Sequence, residues 1–274
     1  MSYSDLLRAV VANQVPQQFI LDLHPDAAGA YSLRHLSSSY TGDVILVRRS
    51  SDNAEQGFTP TEITDGTLES FCGAGDGFVK TWYDQSGNAK DIEAESSGDQ
   101  PPIIESGTLV TLNSQPSLSI DGHFMGIGSL VPSDYSELSM FGVFQQNSTS
   151  QASTMYFFRG VRPSGSQGIR PSPDATLRFD DGFFSWNTSW NNGIQIRSTI
   201  KNNTVYNEWS NSSHVIDNEN RGSESQRSNN FFIGGTTSTF KATGFLSELI
   251  IYPNQKTSDQ NEIEQLINTY YNAF

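Results

Sequence analysis

The run Phe78-Val79-Lys80-Thr81-Trp82-Tyr83-Asp84-Gln85-Ser86-Gly87-Asn88 joins an apolar, β-branched and aromatic half to a polar, turn-forming half. The first half suits a buried strand, and the second supplies Asp, Ser and Asn side chains that bond their own backbone. Upstream, Val44-Ile45-Leu46-Val47 followed by the polar cluster Arg48 to Asn53 repeats the arrangement. The spacing predicts two sheet strands whose ends carry ordered loops, separated by a polar spacer.

Working outward, further apolar runs follow. Ile103-Ile104, Leu109-Val110-Thr111-Leu112 and Ser117 to Gly122 read as strands, with Asn113-Ser114 as a turn. So do Ser139 to Phe144, Met155 to Phe158, Leu177-Arg178-Phe179, Phe183 to Trp186, Thr204 to Trp209 and Phe231 to Gly234. Turn residues recur at the spacing of a sandwich. Gly244 to Tyr252 is apolar on both faces and predicts a strand near a sheet centre. Beyond Pro253 the period changes: Ser258 is placed to cap a helix on which Ile263, Leu266, Ile267, Tyr270 and Tyr271 share a face. At the other end, Phe19 to Leu23 reads as a first strand. Residues 2–14 carry Leu6, Leu7, Val10 and Val11 on one helical face, ended by Pro16.

Composition agrees with an all-β chain. Hydrophobic residues make up 35% and charged residues only 17%, so turns and polar surface rest on Ser, Asn, Thr and Gly. A formal charge of −14 argues against nucleic acid as a partner, since phosphate contacts need clustered Lys and Arg. Cys72 is the only cysteine and excludes an internal disulfide; beside Phe71 it reads as a buried hydrophobe. No run has the length of a membrane span, and the first residues lack the basic start and apolar run of a signal peptide. Synthesis in a cytoplasm is the expectation.

Tyr83-Asp84-Gln85-Ser86-Gly87-Asn88, with Tyr31-Ser32, Thr41-Gly42 and Arg49-Ser50-Ser51-Asp52, resembles the opening half of the catalytic β-sandwich of fungal α-L-arabinofuranosidases. The same run resembles lectin-like sandwich proteins of tailed bacteriophages. The strand Gly244 to Tyr252, with Glu248 and the helix behind it, resembles the close of laminin-G-like and concanavalin A-like domains. These resemblances imply a two-sheet antiparallel, concanavalin A-like jelly roll with a C-terminal helix closing its edge. The expected organisation is an N-terminal arm at residues 1–26 and one lectin-like sandwich at residues 27–274.

The resemblance also sets a catalytic test. A retaining glycosidase needs two carboxyl groups roughly 5 Å apart. The arabinofuranosidase pattern implies an acid after Ile233-Gly234-Gly235, where this chain has Thr236. Between Glu137 and Glu208 the chain has no Glu; Asp174, Asp180 and Asp181 are its carboxylates there. His24, His35, His123 and His214 lack zinc spacing, and there is no Gly-x-Ser-x-Gly elbow. Gly73-Ala74-Gly75-Asp76-Gly77 lacks a phosphate-binding Lys and reads as a turn. Asp84 and Asp121 have two readings, Asx-turn acceptors or calcium ligands, the first favoured.

The resulting expectation is a non-catalytic virion structural protein of a tailed phage, without metal or cofactor. It would act as a fibre, spike or capsid-surface component and bind host-surface glycans through Trp186 and Trp190, with Asp180 and Asp181 beside them. Leu6, Leu7, Val10 and Val11 would dock the arm onto other virion proteins or a second copy of the chain. The alternative is a glycoside hydrolase of arabinofuranosidase type with relocated carboxylates.

Overall fold

The computed structural model describes residues 18–130, 136–147, 158–162, 165–171, 177–179, 193–203, 205–220, 230–237, 240–241 and 243–274. Its elements begin with a helical turn, α1 (Ile20–Leu23), and strands β1 (Gly29–Ser32), β2 (Ile45–Arg49) and β3 (Glu55–Phe58). Two short helices, α2 (Pro60–Thr64) and α3 (Thr67–Cys72), precede β4 (Gly77–Trp82), β5 (Ile92–Glu93) and β6 (Pro102–Glu105). Next come β7 (Thr108–Leu109), β8 (Thr111–Leu112), β9 (Gln115–Pro116), β10 (Leu118–Ser119), β11 (Met125–Ser129) and β12 (Glu137–Gln146). Strands β13 (Phe158–Arg162), β14 (Gly165–Pro171), β15 (Leu177–Phe179), β16 (Gln195–Asn202), β17 (Val205–Ser210) and β18 (Ser213–Asn220) follow. The last elements are β19 (Asn230–Ile233), β20 (Gly235–Thr237), β21 (Phe240–Lys241), β22 (Gly244–Tyr252) and α4 (Gln260–Tyr271).

These strands form an all-β sandwich. One sheet runs β1-β22-β12-β16-β17-β18, with β10 also on β22; the other runs β15-β14-β13-β19-β11-β5-β4-β2-β3, with β6 on β4 and β7 on β6. Their ladders are antiparallel. Side-chain alternation sorts the first sheet into two faces. Tyr31, Leu138, Met140, Phe144, Leu249 and Ile251 pack with Val47, Val79, Trp82, Ile92 and Met125 of the second sheet. Ala30, Phe141, Val143, Ile196, Ile250 and Tyr252 point the other way, onto α1 and onto Ile263, Ile267 and Tyr271 of α4. The strand β22 is therefore buried on both faces, and at about 1.5–3 kcal/mol per large apolar side chain it is a principal source of stability.

The motif at Asp84 to Asn88 is a staple. Asp84 Oδ1 accepts from the amides of Ala30 and Ser86, and Oδ2 from the Ser86 hydroxyl and the Lys90 amide. Gln85 Nε2 donates to the carbonyls of Ser32 and Arg34, while its Oε1 accepts from the Leu36 amide. Asn88 Nδ2 donates to the Ala27 carbonyl. The loop after β4 thus fixes the whole passage from residue 27 to residue 36, using side chains to satisfy backbone groups that no strand pairs. Both Asp84 oxygens are taken by N–H and O–H donors, which is the Asx-turn reading. Behind β22, Arg34 and Glu248 form a buried two-pronged ion pair at 2.8 and 2.9 Å, joined by the Ser32 hydroxyl and overlaid by the Tyr270 ring. It lies on the helix side of the sheet and ties the loop after β1 to the β22–α4 layer.

Several sequence expectations are corrected. Phe19 to Leu23 is not a strand: Ile20 to Leu23 form a helical turn whose Ile20 and Leu21 insert beneath α4, with the Leu21 amide bonded to the Leu36 carbonyl. The spacer after β3 holds two helices. Thr59 and Glu62 form a reciprocal capping box with Pro60 at the first helical position. The terminal helix starts after Asp259 rather than at Ser258, whose hydroxyl donates to Asp259 instead of to the helix. That helix covers the outer face of a sheet and does not close an edge. Leu6, Leu7, Val10 and Val11 lie outside the described residues, as do Met155 to Phe157 and Phe183 to Trp186.

Candidate active site

The first sheet changes character along its inner face. On β22 and β12 that face is apolar, with Leu249, Ile251, Leu138, Met140 and Phe144 turned toward the second sheet. One strand further the alternation continues but the residues do not. Ile196 faces the outer cluster and the Ser198 hydroxyl bonds Glu264 of α4, so both point outward. Gln195, Arg197, Thr199 and Lys201 therefore point inward, and all four are buried. Their register extends the apolar set directly: Phe144 pairs with Gln195, Gly142 with Arg197, Met140 with Thr199 and Leu138 with Lys201. At Gly142 a Cβ would lie 3.5 Å from the Phe144 ring.

The next strand places a carboxylate in this polar field. On β17, Tyr206 pairs with Lys201, Glu208 with Thr199 and Ser210 with Arg197. Glu208 is 1% exposed. The Thr199 hydroxyl donates to Glu208 Oε1 at 3.4 Å, Arg197 Nε donates to Gln195 Oε1 at 2.9 Å, and Lys201 Nζ donates to the Ser136 carbonyl at 3.0 Å. Burial pushes the Arg197 guanidinium below its ordinary range, while the charges of Glu208 and Glu264 act against that shift. The hairpin is fixed at its tip, where Asn211 and Ser212 take positive φ, and Asn211 both donates to the Ile196 carbonyl and accepts from its amide.

Gly234 lies between β19 and β20, and Gly235 opens β20. Gly234 has φ +75° and sits so close to the His123 carbonyl that a Cβ would collide with it. The motif thus has a backbone reason, and Thr236 follows it within β20. Trp186, Trp190, Asp180 and Asp181, the residues singled out for glycan contact, lie outside the described residues. Glu208 is not among the residues the sequence reading singles out for a site. The signal available was a lone carboxylate inside an otherwise strand-like run, and only the topology says which face it occupies.

Comparison with known proteins bears on this arrangement. A family model for the catalytic part of α-L-arabinofuranosidase B matches residues 24–126, fewer than half of the 274. No curated protein sequence matches the chain. Among solved structures, an arabinofuranosidase complexed with arabinofuranosyl-α-1,2-xylobiose superposes with a TM-score of 0.68 at 15% identity, covering 88% of this chain and 62% of that one. A GH54 α-L-arabinofuranosidase soaked with a cyclic sulfate inhibitor gives 0.64 at 14%, covering 90% and 64%. Trypanosoma rangeli sialidase in its 2,3-difluorosialic acid complex, a covalent intermediate, gives 0.55 at 10%, covering 97% and 39%.

The chain therefore spans less than two thirds of the length of these arabinofuranosidases and shares the β-sandwich of their catalytic domain. The expectation of a phage virion protein, located on a particle and lacking catalysis, is overturned by these matches: the family model and these neighbours are glycoside hydrolases. No phage or concanavalin A-like assignment is among these matches. The family match ends at residue 126, before the strands that carry Arg197 and Glu208.

Proposed function

We propose that the chain is a glycoside hydrolase of the α-L-arabinofuranosidase type and that Glu208 is its nucleophile. The observation that carries this reading is the buried Glu208–Arg197–Thr199 set on the inner face of a sandwich shared with arabinofuranosidase catalytic domains. A retaining mechanism asks for one ionised carboxylate and one protonated acid across the scissile bond. We assign Glu208 the attacking role because it is a buried carboxylate on the polar inner face that Arg197 and Thr199 share.

In the first step a bond forms from Glu208 to the anomeric carbon as the glycosidic C–O bond breaks. The leaving oxygen takes the proton of the acid. Water then hydrolyses the ester: its oxygen bonds the anomeric carbon, one of its protons passes to the acid's conjugate base, and the Glu208 carboxylate leaves regenerated. Thr236 cannot serve as the acid, since a hydroxyl without a base has the wrong acidity. Asp180 and Asp181, next in the chain after β15 of the opposing sheet, are the carboxyls proposed for that role, with Trp186 and Trp190 as the stacking surface for the sugar. The segment with Leu6, Leu7, Val10 and Val11 keeps its proposed role as a contact with a second copy of the chain.

The test is turnover. Purified protein should release nitrophenol from 4-nitrophenyl α-L-arabinofuranoside and arabinose from substituted xylo-oligosaccharides. Glu208→Gln should lower kcat by about 10³-fold or more with the fold retained. Absence of release from either substrate, or a Glu208→Gln variant as active as the parent, refutes the assignment.

A further inference from the structure

The buried face of α4 carries a carboxylate that apolar packing does not explain. Glu264 is 0% exposed, and its partners are neutral donors. The Ser198 hydroxyl donates to Oε1 at 2.6 Å; the Ser212 amide and hydroxyl donate to Oε2 at 2.7 and 3.0 Å. Gln260 and Gln265 of the same helix add longer contacts to the Ser198 and Ser212 hydroxyls. Burying an ionised carboxylate is costly unless its oxygens are well bonded, so three donors converge on a group that a Leu could replace if packing were its only task.

The place of these donors gives the reason. Ser198 sits between Arg197 and Thr199 on β16, pointing outward while its two neighbours point inward to Glu208. Ser212 belongs to the turn that ends β17, four residues beyond Glu208. The same turn is stapled to Ile196 by both hydrogen bonds of Asn211. One carboxylate on the outer layer therefore clamps β16 and the β17–β18 turn from behind, at the level where their inner faces hold the candidate nucleophile and its cation. Arg197 also feels the charges of both Glu208 and Glu264, one on each side of the sheet.

We infer that Glu264 is a positioning residue, through which the C-terminal helix fixes the spacing of β16 and β17 and hence the aim of Glu208. This rests on the assignment of Glu208 above. It differs from another tie of the helix, the Tyr271 hydroxyl donating toward the Ser247 carbonyl and Glu248, which touches β22 and not the strands of the site. A displacement of about 1 Å at a reacting group can cost about 10²-fold in rate, whereas ground-state binding is spread over the whole site. The effect should therefore fall on kcat.

The experiment measures kcat and KM with 4-nitrophenyl α-L-arabinofuranoside for the parent, Glu208→Gln, Glu264→Ala and Glu264→Gln, each well below its own melting temperature. Glu264→Ala should lower kcat about 10- to 100-fold and change KM less than about threefold, and Glu264→Gln, which keeps one acceptor oxygen, should recover most of the loss. A Glu264→Ala variant that melts earlier but keeps kcat within about twofold makes the residue merely structural and overturns the inference. If Glu264→Ala does not fold, Ser198→Ala and Ser212→Ala each remove one donor and should each lower kcat; unchanged kcat in both overturns it equally. Failure of the underlying reading looks different: an inactive parent, or an active Glu208→Gln, removes both claims. An active parent with an inactive Glu208→Gln and a normal Glu264→Ala removes only this one.

Discussion

The inner face of the first sheet is two surfaces in one. Over β22 and β12 it presents Leu249, Ile251, Leu138, Met140 and Phe144 to the second sheet. Over β16 and β17 it presents Gln195, Arg197, Thr199, Lys201 and Glu208, equally buried. Strand geometry, register and alternation are continuous across the boundary, so the backbone is not what differs. Apolar burial stabilises the first half at about 25 cal/mol per Å². The second half surrenders that gain and adds the desolvation of charged groups. A fold tolerates such a region where its geometry is used for something else, and the perturbed Arg197 beside Glu208 is the kind of site where chemistry is expected.

This contrast can be broken by matched substitutions. Ile251→Ala in the apolar half should cost about 2–5 kcal/mol of stability, seen in denaturant unfolding, while the remaining folded protein keeps its kcat. Thr199→Val in the polar half keeps the shape but removes the hydroxyl that holds Glu208. It should lower stability by about 1–3 kcal/mol, the cost of a buried acceptor losing a donor, and lower kcat by about tenfold. The reverse pattern, with activity lost in the first variant and stability in the second, would mean the two halves have been assigned the wrong roles.

A smaller effect sharpens the same division. The carboxylates held below their ordinary range among the described residues belong to the scaffold. Asp52 is lowered chiefly by the Arg49 hydrogen bond, Glu62 and Asp65 by bonds from Thr59 and Thr67, and Asp22 by Ser38. Burial pushes Asp26 up, but bonds from Lys256 and Asn254 outweigh it, leaving its carboxyl low. A carboxylate with a depressed folded pKa contributes stability that is present above its unfolded value and lost as pH falls through the folded one. With ordinary values of 3.8 and 4.5, the melting temperature should be level from neutral pH to about 5 and fall below about 4. A level profile down to pH 3 would show that these bonds add nothing.

Much of the scaffold was legible in the sequence. Apolar runs at Val44 to Val47, Phe78 to Tyr83 and Gly244 to Tyr252 became β2, β4 and β22, because each is long enough for its strand and ends in turn residues. Asn113-Ser114 became a turn with both φ positive. Ile20 to Leu23 misled because a short apolar run fits strand or helix alike, and the cover of α4 settles it. The capping box at Thr59 to Glu62 could have been read and was passed over as spacer. Glu208 was not legible as a site residue. Alternation groups it with Tyr206 and Ser210, but which face meets the other sheet depends on where a helix some fifty residues later packs.

The most direct measurement of the central claim is covalent trapping. A cyclic sulfate that mimics an α-L-arabinofuranoside should label the protein once, and peptide mapping by mass spectrometry should place the added mass on the peptide containing Glu208, with no label on Glu208→Gln. An adduct on a different carboxylate, or no adduct on protein that turns over substrate, would contradict the account.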